Sequence, residues 1–431
     1  MKWLITVGVF IVLTGMLIST ATAKETGSES PESDSVAVRN PEAPRHSLGE
    51  VLLDIPSFII KTPVYIVKGV TNGIIHGVFE SPVKRFLNFG NPYSLFYINA
   101  GYGSNKGIST GTGFGLYHLF VPEDKLKLDW YYSTKNYQSY RLKYTGTNML
   151  IRSGRLTLVG EYKNRPRESY YGPGNNSQEN HACNYTLERT RIVGDFAFPV
   201  NSYVTLRFMT GFTAINIFDG QQDDSEGRID SIAAKFSLPD TYFSSSRVVT
   251  LGIGIEKDWR DTAGQPSRGG RYSLITSYNK GVGRSNNLSF FVTKFDGSYF
   301  INLFRKRILA VRFIAQSVDN TKEDIIPFYH LSKLGGRDDL RGYRGHRFVD
   351  KDMAMVSIEY RYPLWKAIDA FLFLDEGRVF DDIGDDLTLE HWSESYGLGM
   401  RIWTEHAIVL KTQIAFGGYE PRLYFEMGAN W

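Results

Sequence analysis

The sequence predicts an all-β chain, a transmembrane β-barrel of about sixteen antiparallel strands behind a short N-terminal helical segment. Three observations predict it. Apolar and polar residues alternate with period two from about residue 92 onward. The alternating segments come to about sixteen, an even count, and each is long enough for the ~10 residues that a tilted strand needs to cross a bilayer. The faces opposite the apolar ones carry Arg, Glu, Gln, Lys and Gly, which suit a hydrated lumen better than a sandwich core.

Residues 1–23 read as a secretory signal peptide: Lys2, an apolar run from Leu4 to Ile18, and the small-x-small pattern Ala21-Thr22-Ala23. Export would follow, with cleavage near Ala23. Residues 24–46 are rich in Glu, Ser and Pro and hold too little apolar surface to offset ordering entropy, so they are expected to be disordered.

Residues 47–91 read as short amphipathic helices. Ser47-Leu48-Gly49-Glu50 fits a capping box, Thr62-Pro63 fits a helix start, and Ile59, Pro63, Ile66, Val67, Val70, Ile74 and Val78 make one apolar stripe. Pro56, Lys61 and Lys68 argue against a spanning helix. Two placements stay open for this segment: the periplasmic rim or adjacent membrane surface, and the barrel interior as a plug.

The barrel proper is expected over 92–431, with strands near 92–104, 110–120, 125–134, 137–147, 154–164, 184–199, 203–217, 247–260, 270–281, 288–304, 308–318, 352–364, 368–381, 394–404, 407–418 and 422–431. A sheet of this size closes to remove its edges. Connections alternate in length accordingly. Asn201-Ser202, Arg305 to Arg307 and Glu405-His406 are tight and would be periplasmic, whereas 165–183, 218–246, 319–351 and 382–393 are long and would face outside.

Composition removes other classes. Lys+Arg 49 against Asp+Glu 46 leaves a small net charge without the basic clustering that nucleic acid requires. No run of eighteen uncharged apolar residues follows the signal peptide, which excludes a helical membrane protein. Cys183 stands alone and reads as a silent loop thiol. The Asp-rich stretches Asp219 to Asp230 and Asp381 to Asp386 lack calcium-loop spacing, and no G-x-S-x-G or His pattern supports catalysis. No cofactor, metal or enzyme activity is implied.

Two segments remain that carry chemistry. Gly335-Gly336 followed by Leu340-Arg341-Gly342-Tyr343 reads as an arginine on a glycine-rich loop tip, and Phe373-Leu374-Asp375-Glu376-Gly377-Arg378-Val379-Phe380 as a strand with acidic residues in an apolar run. A guanidinium fork suits a carboxylate, so the two are natural partners. Between them, Val356, Ile358, Tyr360 and Tyr362 form an outward face and leave Glu359 directed inward.

Together with Ile358-Glu359-Tyr360 and Pro363, these motifs resemble the C-terminal barrel of the bacterial surface-antigen superfamily, to which BamA, TamA and FhaC belong. The resemblance covers about residues 92–431. It implies that the long loop after the eleventh strand folds into the lumen as a lid and that Arg341 pairs with Glu359 and Asp375. Gly335, Gly336 and Gly342 would let the loop turn tightly beside the wall, Tyr343 completes the motif, and Gly377 would give room on the strand. An Arg held by two carboxylates can also serve architecture alone, and both roles stay open. The last strand, with Phe425, Met427 and Trp431 on one face, resembles the C-terminal assembly signal of outer-membrane barrels.

Between Lys24 and Pro92 there is no room for the POTRA modules of the best-known relatives. The implied function is assistance to protein insertion or translocation at the outer membrane, by a lateral gate between first and last strands and an internal Arg341 lid. Outer-membrane lipid, client proteins and a periplasmic partner are the expected contacts. The alternative is a passive or helix-plugged pore for small solutes or lipids.

Overall fold

The computed structural model describes residues 88–427 apart from 92–93, 104–106, 122, 152, 221–228, 322–324, 387, 389 and 404–407. The signal peptide, the polar tail, the amphipathic segment over 47–87 and Trp431 lie outside the described residues.

Seventeen strands form one antiparallel sheet. They are β1 (Asn88–Asn91), β2 (Ser94–Gly103), β3 (Gly107–Tyr117), β4 (Lys125–Ser133), β5 (Gln138–Thr147), β6 (Arg155–Tyr170), β7 (Cys183–Pro199), β8 (Val204–Asp219) and β9 (Ser246–Asp258). The series continues with β10 (Gly269–Gly281), β11 (Ser289–Asn302) and β12 (Ile308–Asn320). After a long loop holding a small hairpin, β13 (Ser332–Leu334) with β14 (Phe348–Asp350), come β15 (Asp352–Trp365), β16 (Ile368–Phe380), β17 (Ser393–Trp403), β18 (Ile408–Phe416) and β19 (Arg422–Met427). Each strand pairs with the next in chain order, β12 pairing with β15 across the inserted hairpin. Among the described residues these registers run from β1 to β19, and none joins β19 to β1 or β2.

All sixteen expected strands are present within a few residues, and β1 adds a short seventeenth by pairing with β2. Residues 88–91 therefore belong to the sheet and not to the helical segment assigned to them from sequence. The expectation of a loop at Cys183 is likewise corrected: it opens β7 and is buried. Within the loop after β8 sit a short helix, α1 (Ile229–Lys235), and a turn of 3₁₀ helix at Asp240–Phe243.

Alternation sets two faces. Ile192, Ile253, Leu398 and Phe425 are 64%, 63%, 52% and 68% exposed, too apolar a surface for water and suited to lipid. Their neighbours one residue along point inward, where the buried polar residues gather.

The largest apolar core is not in the wall but at the long-loop end. There Tyr170, Tyr185, Tyr242, Phe290, Phe328 and Val349 close around the loop that follows β12. Phe328 sits at the hub, with ring centroids of Tyr170 at 4.6 Å and Tyr185 at 5.0 Å, and the Tyr170 and Tyr242 hydroxyls are 2.9 Å apart. Each such aromatic, fully buried, contributes on the order of 2–3 kcal/mol. This cap accounts for the 16 and 17 residues of β6 and β7, whose Tyr170 and Tyr185 ends pack in it.

Candidate functional site

The hairpin β13–β14 projects the tip of its loop against the C-terminal half of the wall. Gly335 and Gly336 both have φ +113°, a region other residues rarely enter, so the chain turns there before Leu340 buries with Leu334, Phe348 and Met355. Gly342 lies so close to the wall that a Cβ would meet the Phe416 carbonyl. At Gly377 a Cβ would lie 2.7 Å from Leu334, so this strand glycine makes room for the hairpin. The Tyr343 ring packs against that of Phe348, tilted at 59° with centroids 5.2 Å apart.

Arg341 is the centre. Its Nε and Nη2 donate to the two oxygens of Asp375 at 2.8 and 2.5 Å, a bidentate fork. Nη1 donates to Glu359 at 2.8 Å and to Gln413 at 3.3 Å, and Nη2 also reaches Ser357 at 2.9 Å. The Phe373 ring lies 3.5 Å from the guanidinium carbon, a cation–π contact. The backbone is tied as well: Gly342 N–H donates to Ser395 at 2.6 Å, and the Tyr424 hydroxyl donates to the Arg341 carbonyl at 2.9 Å. These partners come from β15, β16, β17, β18 and β19. One loop tip is thus bound to five consecutive strands, the last of them the final strand of the sheet.

The side chains of Arg341, Asp375 and Glu359 are 3%, 0% and 2% exposed. Burial alone would lower the arginine pKa, but Asp375 and Glu359 outweigh it and hold the pKa above its ordinary value. Glu359 is shared further, with Arg361 Nε at 3.0 Å and Lys411 Nζ at 3.8 Å. On the same loop, burial pushes Asp339 and Asp350 up to about 6. His330, 2.8 Å from the Ser246 hydroxyl, is pushed down to about 3 by burial and then by Lys333.

Sequence reasoning did not single out a second centre. On the lumen side of β4 to β7, Glu161 receives Arg141 at 2.6 Å, Lys163 and Arg191 at 2.9 Å, and Arg189 at 3.0 Å. Arg141 and Arg191 stand directly opposite Glu161 on the two flanking strands. Their inward parity was readable, but pairing needs the register, which a single sequence does not fix. A third contact closes part of the short-turn end: Gln265, in the turn between β9 and β10, donates to Asp369 at the start of β16 at 2.7 Å, and Arg401 reaches the same carboxylate at 3.1 Å.

Of the expected C-terminal signal residues, Phe425 faces outward and Met427 ends β19 opposite Leu410. Among the described residues no group of His, Cys, Asp and Glu could hold a metal ion, and no helix is long and apolar enough to cross a membrane.

Residues 91–431 match the family model described as the Omp85 superfamily domain. Among solved structures, the chain is similar to BamA from Haemophilus ducreyi lacking POTRA domains 1-3, with TM-score 0.56 and 15% identity over 78% of this chain and 69% of that one. That similarity shows the shared fold. Weaker similarity extends to CdiB from Acinetobacter baumannii, with TM-score 0.47 and 12% identity over 75% of this chain and 55% of that one. CdiB from Escherichia coli gives TM-score 0.48 and 12% identity over 77% and 61%. No curated protein sequence matches the chain.

Proposed function

This chain belongs to the Omp85 superfamily of outer-membrane β-barrels, and on that premise we propose that it assists the insertion or translocation of proteins at the bacterial outer membrane. The seam between the first and last strands is the lateral gate, and the Arg341 loop is the internal lid. Work comes from pairing a client strand with an opened sheet edge, whose unpaired N–H and C=O groups are a ready template. No nucleotide or catalytic residue takes part.

The observation that supports this reading best is the reach of the lid tip across β15 to β19. A tip that touched one strand would only fasten a loop. A tip bonded as far as Tyr424 on β19 couples the lid to the strand that borders the gate. Export by the N-terminal signal peptide, with cleavage near Ala23, belongs to the same proposal.

The test is removal of the protein from cells together with reconstitution of the purified barrel. Loss of particular barrels or secreted proteins from the outer-membrane proteome, with client insertion by the reconstituted protein, is expected. An unchanged proteome and a barrel that inserts no client would refute the proposal. Arg341→Lys, which keeps the charge but loses the fork, is expected to assemble and to insert clients more slowly.

A further inference from the structure

The lumen wall is unevenly charged. On the side of β9 to β12 the charges are matched: Arg271 pairs with Glu256 at 2.9 Å and Arg312 with Asp296 at 2.8 Å, and Asp258 and Lys294 share the same face. The wall of β4 to β7 does not balance. On its lumen face Lys127, Arg141, Lys143, Lys163, Arg189 and Arg191 stand against Asp129, Glu161 and Asp195, and Asp195 is already taken by Arg207 of β8 at 2.6 Å, so cations are in excess. Glu161 already accepts four of those cations. Two like-charge pairs stand directly opposite one another, Lys127 with Lys143 and Lys163 with Arg189. A sheet is stabilised by opposite charges at such positions and destabilised by like ones, so each of these pairs is a local cost that a bound anion would relieve. The cationic heads are partly open to the lumen: Arg141, Arg189 and Arg191 are 39%, 27% and 34% exposed.

We infer that the lumen face of β4 to β7 is a docking lane for acidic polypeptide segments. The inference rests on the protein-handling reading above and adds the class of substrate. A single phosphate group would engage one point of the lane. An extended chain fits all of it, because inward side chains two residues apart on a strand repeat at about 6.6 Å, the spacing at which an extended acidic peptide repeats its own. Low-dielectric walls around an excess of one sign concentrate the field along this path.

The full chain in detergent would be titrated with labelled octaglutamate and with octalysine, followed by fluorescence anisotropy. Octaglutamate is expected to bind, octalysine not, and salt to weaken the complex. A Lys127→Gln, Lys143→Gln double variant removes a like-charge pair and so leaves folding secure. It is expected to lose about tenfold in octaglutamate affinity. Equal binding of both peptides, or an unchanged affinity in the double variant, overturns the lane. Displacement of octaglutamate by inorganic phosphate at matched charge assigns the wall to phosphate groups and overturns the polypeptide reading. The chain's own acidic stretch is tested with Glu29→Gln, Glu32→Gln, Asp34→Asn. Octaglutamate binding seen only in that variant makes the occupant the protein's own tail and overturns a client. Octaglutamate binding by a barrel that inserts no client would sink the proposed function and leave the lane standing.

Discussion

The two charged centres of the lumen are inverses of each other. Around Arg341 one cation is surrounded by carboxylates, hydroxyls and an amide, and its partners are nearly inaccessible to water. Around Glu161 one carboxylate is surrounded by four cations that remain between 17% and 39% exposed. The first is balanced and dry, so each member depends on the others. The second is unbalanced and wet, so solvent can take over from a missing partner. Burial, more than the number of ion pairs, decides which centre fixes geometry and which holds a surplus of charge.

Arg341→Ala should break this contrast most severely. It leaves Asp375 buried without its bidentate counter-charge, while Glu359 keeps Arg361 and Lys411, and a loss of about 3–5 kcal/mol in unfolding free energy is expected for the purified barrel. Adding Asp375→Asn to Arg341→Met should recover part of that loss, because both sides of the fork are then neutral. Equal stability of Arg341→Ala and wild type in denaturant titrations would end the claim that this centre is structurally dry.

Glu161→Gln tests the other side. Its expected cost is smaller, about 1–2 kcal/mol, and much of it should vanish in high salt, since the remaining repulsion is among half-exposed cations. The Arg341 variants should show little salt dependence. A reversal of that pattern would exchange the two descriptions.

The smallest expected effect is in pH. Burial pushes Asp339 and Asp350, on the Arg341 loop, up to about 6 from the ordinary aspartate value of 3.8. Between those values the folded state binds more protons than the unfolded one. Their contribution is therefore present in full below about 4 and lost as pH rises through about 6. His330 works in the opposite direction, since its pKa of about 3 makes the fold lose stability as pH falls from about 6.5. Asp339→Asn should remove about 1 kcal/mol of the acid-side gain, measured as hydrogen-exchange protection of the Arg341 loop at pH 5 and pH 7.5.

Much of the first centre was legible and almost none of the second. Arg341 and Asp375 could be named from a loop motif and a strand motif, and Glu359 from its inward parity together with the family resemblance. Ser357, Ser395, Gln413 and Tyr424 could not, since they are ordinary inward residues that matter only because of the height at which the tip docks. The Glu161 group depends on register alone: a slip of two residues keeps every side chain inward and changes all the partners. The strands themselves were readable from alternation. The far end of β6, beyond the expected 164, was not, because it packs in the apolar cap, and the bulge between Arg165 and Glu168 coincides with Pro166, which has no N–H to give a ladder.

The span of the Arg341 loop tip also orders events in time. Glu161 meets Arg141 and Arg191 at separations of 20 and 30 residues, so that centre can form as soon as β5, β6 and β7 have paired. Arg341 waits for Gln413, 72 residues later, and its carbonyl for Tyr424, 83 residues later. Contacts so distant close late, after the loop entropy between them has been overcome. Until the final hairpin arrives, the tip lacks its last two tethers. The arginine fork can therefore seat on β15 and β16 first, and the tip is fully tethered only once β18 and β19 have paired.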